Sequence, residues 1–170
     1  MTWSGSKMFV TWAQGVMGNG DQTTPVKIPN SYTGLVNDTI NVALYNNTGT
    51  PSETDTAAHA AYNGTGGPWV TSNEVTDATN WVAGGRALAS KTATVSSNVF
   101  TFDAADLAGG GNVTISNAYG CLVYDNSIAA GTGGVAKLGV CFNSFGSGQS
   151  VTAGTFTIVW NASGIFTVTV

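Results

Sequence analysis

Charge is what this sequence has least of: only 8% of its 170 residues are Asp, Glu, Lys or Arg, against about 25% in an average soluble domain. Its five cations, Lys7, Lys27, Arg86, Lys91 and Lys137, are scattered along a chain of net charge -4. Phosphate backbones are gripped by a basic stripe or patch, so no direct nucleic-acid partner is expected. No apolar run approaches the roughly 18 to 20 residues of a membrane-crossing helix, and no membrane partner is expected either. The opening MTWSGSKMFV lacks the basic and then apolar pattern of a secretory leader, which predicts a protein made and used inside a cell. There is one histidine, and there are two cysteines, Cys121 and Cys141. Two thiols without an export signal read as small buried side chains, although one hairpin register described below would bring them together.

In place of charge the chain carries Thr, Asn, Ser and Gly. Small neutral polar groups repel one another little and lose little hydration when another protein covers them, so the surface reads as that of a subunit. The length suits one domain with a proper core.

Phe9, Trp12, Ala13, Val16 and Met17 fall at i, i+3, i+4, i+7 and i+8, one face of a helix, which Gly18-Asn19-Gly20 ends. That helix either packs on its own domain or docks as an arm on a neighbouring subunit. With the Pro-containing connector that follows, it makes up residues 1–35, and residues 36–170 form the main domain. Here the grammar changes to alternation: Ile40, Val42 and Leu44 share one side of TINVALY, a half-buried strand. A polar loop follows from Asn46 to Asn80, with a helical turn near Thr56 to Ala61. Short strands are then predicted at 87–95, 99–102, 112–116, 118–124, 135–142, 155–160 and 165–170, rich in Val, Ile, Thr and aromatics and separated by Gly and Asn. This is the pattern of an all-β antiparallel sandwich or jelly roll. Two hairpins are expected: 156–160 with 165–170 across Asn161-Ala162-Ser163-Gly164, and 119–124 with 137–142, with Cys121 opposite Cys141. Ile40, Val42, Leu44, Leu122, Val140, Phe156, Ile158 and Ile165 should share the core.

Candidates for chemistry are thin. His59 has Asp55 four residues before it, but neither a nucleophile nor further metal ligands stand beside the pair. Asp103 and Asp106 are spaced to share a helical turn and read as caps. Gly109-Gly110-Gly111 lacks the Lys-Ser or Lys-Thr of a phosphate loop. No catalytic, metal or cofactor-binding residue is therefore assigned, and an enzyme is not expected. Trp69 and Trp81, in or beside the long loop, suit stacking on a host-surface glycan or burial in a subunit interface. The partner-contact candidates are Phe9, Trp12, Val16, Met17, Trp69 and Trp81.

Four stretches, INVALYNNTGTPSETDTAAHAAY, NEVTDATNWVAGGRAL, AYGCLVYDNS and GTFTIVWNASGIFTVTV, follow one another in an order that resembles small virion structural proteins of tailed bacteriophages. The resemblance covers the region after residue 35 and leaves out both the first 35 residues and KLGVCFNSFG. It implies a virion component assembled in the bacterial host cytoplasm. The expected function is a non-enzymatic capsid decoration subunit that self-associates, as a trimer, and binds the major capsid protein. The alternatives are a phage tail structural protein and a carbohydrate-binding module using exposed Trp residues.

Overall fold

The computed structural model describes residues 3, 5–17, 33–129 and 135–169, with the backbone alone for 14–17. In chain order the elements are β1 (Lys7–Met8), α1 (Val10–Met17), β2 (Ile40–Tyr45), α2 (Ala57–Ala60), β3 (Glu74–Val75), β4 (Arg86–Ala87), β5 (Thr92–Ser96), β6 (Val99–Asp103), β7 (Leu107–Ala108), β8 (Val113–Asp125), β9 (Gly139–Gly154), β10 (Thr157–Ile158) and β11 (Phe166–Thr169). The fold is all-β. Among the described residues three antiparallel sheets form: β1-β9-β8-β2-β3, with β4 also on β2; β11-β6-β5; and β10-β7. One continuous core joins them, and all eight residues assigned to it from the sequence are buried.

β2 is central, because β8 lies on one side of it and β3 and β4 on the other. Both its faces are covered, so Ala43 and Tyr45 are buried along with Ile40, Val42 and Leu44. Alternation in its sequence indicated a strand with one wet face; the aromatic packing of Tyr45 on Trp69, ring centroids 5.0 Å apart, removes that face from water.

β8 and β9 form a long ribbon, where the sequence indicated shorter pieces. A bulge at Asn117, in the left-handed region with φ 61°, carries β8 through the predicted break, and its amide donates to Ser150 Oγ at 2.9 Å. Register shifts accompany it, as an extra residue in one strand requires. β9 continues far beyond Phe142, through the Gly- and Ser-rich stretch to Gly154, because the ladder with β8 supplies hydrogen bonds that local propensity does not indicate. The expected pairing of position 121 with 141 is two residues out: Cys121 faces Asn143, and Cys141 faces Val123. An even slip keeps every side chain on its face. Both cysteines are buried and free.

The last predicted hairpin does not form. The tight turn does, with the Gly164 amide donating to the Asn161 carbonyl at 2.7 Å, but β10 pairs with β7 and β11 with β6. Trp160 explains the divergence: its amide donates to Asp106 Oδ1 at 3.0 Å and its indole to the Ala105 carbonyl at 3.2 Å, which holds the strand end on the 105–108 segment. β5 and β6 instead make the tight hairpin, with Ser97 and Asn98 both at positive φ, 48° and 63°, as a two-residue type I′ turn demands.

Candidate interaction surface

The side chains expected to meet a partner lie mostly inside the protein. Phe9 and Trp81 are 0% exposed, Trp69 1% and Trp12 5%. Trp69 is ringed by Tyr45, Trp3, Phe9 and Phe142, with centroids 5.0 to 6.0 Å away. Trp12 meets Phe166 edge-on at 5.9 Å, and Trp81 meets Phe156 at 5.6 Å. The backbone fixes the segment too, since the Phe9 amide donates to the Val140 carbonyl and the Val10 amide to that of Glu53. Glycine provides the floor: a Cβ at Gly139 would sit 2.7 Å from the Phe9 ring, and one at Gly120 2.1 Å from the Trp3 ring. The first turn of α1 is therefore part of the core, and the arm reading of Phe9 and Trp12 is corrected. Burial likewise removes Trp69 and Trp81 as glycan platforms, because a ring closed in by other rings has no free face to stack on. The side chains of Val16 and Met17 lie outside the described residues.

The titratable groups are spread through the fold as struts. Asp55 Oδ1 lies 4.0 Å from His59 Nδ1, with the carboxyl of Asp55 pushed up by burial, and the His59 amide donates to the Thr56 hydroxyl that caps α2. Glu74 bridges two loops, accepting from Tyr62 Oη at 2.9 Å and the Gly84 amide at 2.8 Å. Tyr62 stacks on Tyr124 at 4.8 Å, and burial pushes the Tyr124 phenol up to about 12. Asp77 is held below the usual carboxylate range by the amides of Asn80, Thr114 and Thr79. Asp103 ends β6 and Asp106 anchors Trp160; the helical turn expected to unite them is absent because strand pairing with Thr92 extends β6 to Asp103. Among the described residues no three His, Cys, Asp or Glu side chains come together.

The exposed strands are a different matter. Every residue of β5, Thr92 to Ser96, is exposed, Val95 to 72%. β5 stands at the end of its sheet, so among the described residues one side of its backbone has no strand partner, and within it there is neither charge nor proline nor a bulge in its register with β6. Free edges in natural proteins are normally blunted by one of those devices. The outer part of β9, from Gly146 to Ser150, is also exposed, and from Leu138 to Val170 the sequence has no Asp, Glu, Lys or Arg at all. These strands, not the tryptophans, carry the uncharged surface. For the outer part of β9 the signal was the charge-free tract itself, since covering such a surface carries no desolvation penalty for ions. Compared with protein families, with curated proteins and with solved structures, the chain matches none.

Proposed function

We propose that this chain is a non-enzymatic structural subunit that self-associates, as a trimer, and decorates the capsid of a tailed bacteriophage by binding its major capsid protein. The observation that carries the reading is β5, an uncharged strand exposed at every residue and, among the described residues, open along one edge. A second chain can add to such an edge through main-chain hydrogen bonds, and repetition in a symmetric particle lets weak neutral contacts sum. The virion context rests on the resemblance of the four stretches, which form β2 and α2, β3 and β4, the end of β8, and the β10–β11 region. Site of action in this reading is the virion, with assembly in the host cytoplasm.

The test is to mix purified protein with capsids lacking it and, separately, with tail tubes. Saturable, symmetric density on capsids alone supports decoration. Density on tubes alone transfers the subunit to the tail, and binding to neither, from a protein that stays monomeric in light scattering, overturns the structural reading.

A further inference from the structure

Among the described residues two acids are buried, Asp38 at 4% and Asp125 at 0% exposure. They occupy the same end of the β2–β8 pair: Asp38 stands two residues before β2, and Asp125 ends β8 opposite Ile40. The residues that follow them are bonded to each other, the Asn126 amide donating to the Thr39 carbonyl and the Thr39 amide to Ser127 Oγ, both at 2.8 Å, which sets the two carboxyl groups side by side so that each acts on the other. Two ionised carboxylates held that close in a dry site cannot coexist cheaply, so one takes a proton.

The donors around them decide which one. Asp38 accepts from the Thr33 amide at 3.0 and 3.2 Å, from the Gly34 amide at 3.3 Å and from the Thr33 hydroxyl. Among the described residues Asp125 accepts from the backbone alone, through the amides of Ser127, at 2.9 Å, and Ile128. Its Oδ2 is buried without a donor among the described residues. Three donors, one a hydroxyl, suit an ionised Asp38; a bare Oδ2 beside that carboxylate suits a protonated acid. We propose that Asp125 donates a proton from Oδ2 to the Asp38 carboxylate, and that losing this proton opens a clasp between the 33–38 turn and the end of β8.

Burial, and then the charge of Asp38, push Asp125 up to about 7 against the lowering effect of its amides. Among the described residues Asp38 is the charged group acting on it. The native state thus holds a proton that the unfolded chain releases near 3.8. Stability from the clasp is complete below that value, falls as pH rises, and is gone above about 7. Opening spares the strands, because the Thr39 amide still donates to Ser127 Oγ and the Asn126 amide to the Thr39 carbonyl, both at 2.8 Å. What it frees is the turn, tied otherwise by the Asn37 and Asp38 amides to the Gly34 carbonyl.

The experiment follows the Asp carboxyl carbons by NMR in the full chain, and the exchange of the Thr33 and Gly34 amides, from about pH 4 to 9, in the native protein and in Asp125→Asn. The amide of Asn donates to Asp38 at every pH. In the native protein one Asp signal should titrate near neutrality and disappear in the variant. Protection of the two amides should fall by up to about tenfold per pH unit as pH rises toward that midpoint, level off above it, and stay flat in Asp125→Asn. Titration of Asp125 in the ordinary carboxylate range overturns the proposal, as does the same loss of protection in the variant. A rise in melting temperature with added calcium at pH 9, absent in Asp125→Asn, overturns it too, since the pair then holds a cation in place of a proton.

Discussion

Replacing Phe9 with alanine measures how far the first described segment belongs to the core. The side chain is fully buried, with ring centroids 5.5 Å from Phe142 and 6.0 Å from Trp69, and it lies over Gly139, whose missing Cβ makes the space. Removing a buried phenylalanine ring costs about 3 to 5 kcal/mol, transfer and cavity together. A domain holds only about 5 to 15 kcal/mol in all, so Phe9→Ala should still fold while losing a large part of its stability. At about 2 to 4 °C per kcal/mol for a chain of this size, melting should fall by about 6 to 20 °C. Urea unfolding followed by tryptophan fluorescence and by circular dichroism gives the figure, with the midpoint lowered and the slope unchanged. A double-mutant cycle with Phe142→Ala should return a coupling of about 0.5 to 1.5 kcal/mol for the aromatic pair. A loss below about 1 kcal/mol, accompanied by loss of self-association, would refute the reasoning and put the ring on a neighbouring copy.

Val95→Pro tests the open edge. Counting from the two-residue turn, Ser96 and Val99 are a mutually hydrogen-bonded pair, so Val95 turns its amide away from β6. The variant should keep its far-ultraviolet spectrum yet lose self-association in light scattering; an unchanged oligomer removes β5 from the interface. Ile158→Ala, at a side chain 6% exposed on β10, should cost about 2 to 5 kcal/mol in urea unfolding, and a near-neutral result would place β10 outside the cooperative core. The Cys121 thiol, pushed up to about 12 by burial, and the likewise raised Cys141, should resist iodoacetamide at pH 8 until urea is added, as read by mass spectrometry; rapid labelling of the native protein would show that one of them is reached by solvent.

Individual segments were legible wherever side-chain periodicity and burial agree. Ile40, Val42 and Leu44 announce β2, and Phe9, Trp12 and Ala13 announce α1, because their spacing is the spacing of the face they bury. Pairing was less legible. Ser97-Asn98 is a tight hairpin without the Asn-Gly that would advertise it, and Asn161-Ala162-Ser163-Gly164 turns the chain without making a hairpin at all, since which strand a segment joins depends on partners far away in sequence. The outer half of β9 was invisible because its order comes from the ladder to β8 and not from Phe145, Gly146, Ser147 or Gly148 themselves. The aromatic helix face was legible as a buried face; whether it is buried against its own sheet or another chain depends on Gly120 and Gly139, two positions whose meaning appears only when rings lie on them.

The aromatic seam also dictates when the protein can finish folding. Lys7 pairs with Phe142 and Met8 with Cys141, while Ile165 donates to the Phe102 carbonyl. During synthesis, Trp3, Phe9 and Trp12 leave the ribosome long before the strand that shelters them exists. At about 5 to 20 residues per second they wait several seconds or more as bare rings on a chain with few charges to keep it apart from its neighbours. Closing so wide a loop is intrinsically slow, in the millisecond to second range of β-rich topologies. Expression at low temperature or with a chaperone bound to the emerging segment should raise the soluble yield, and crowded synthesis should depress it, through events that precede the native state entirely.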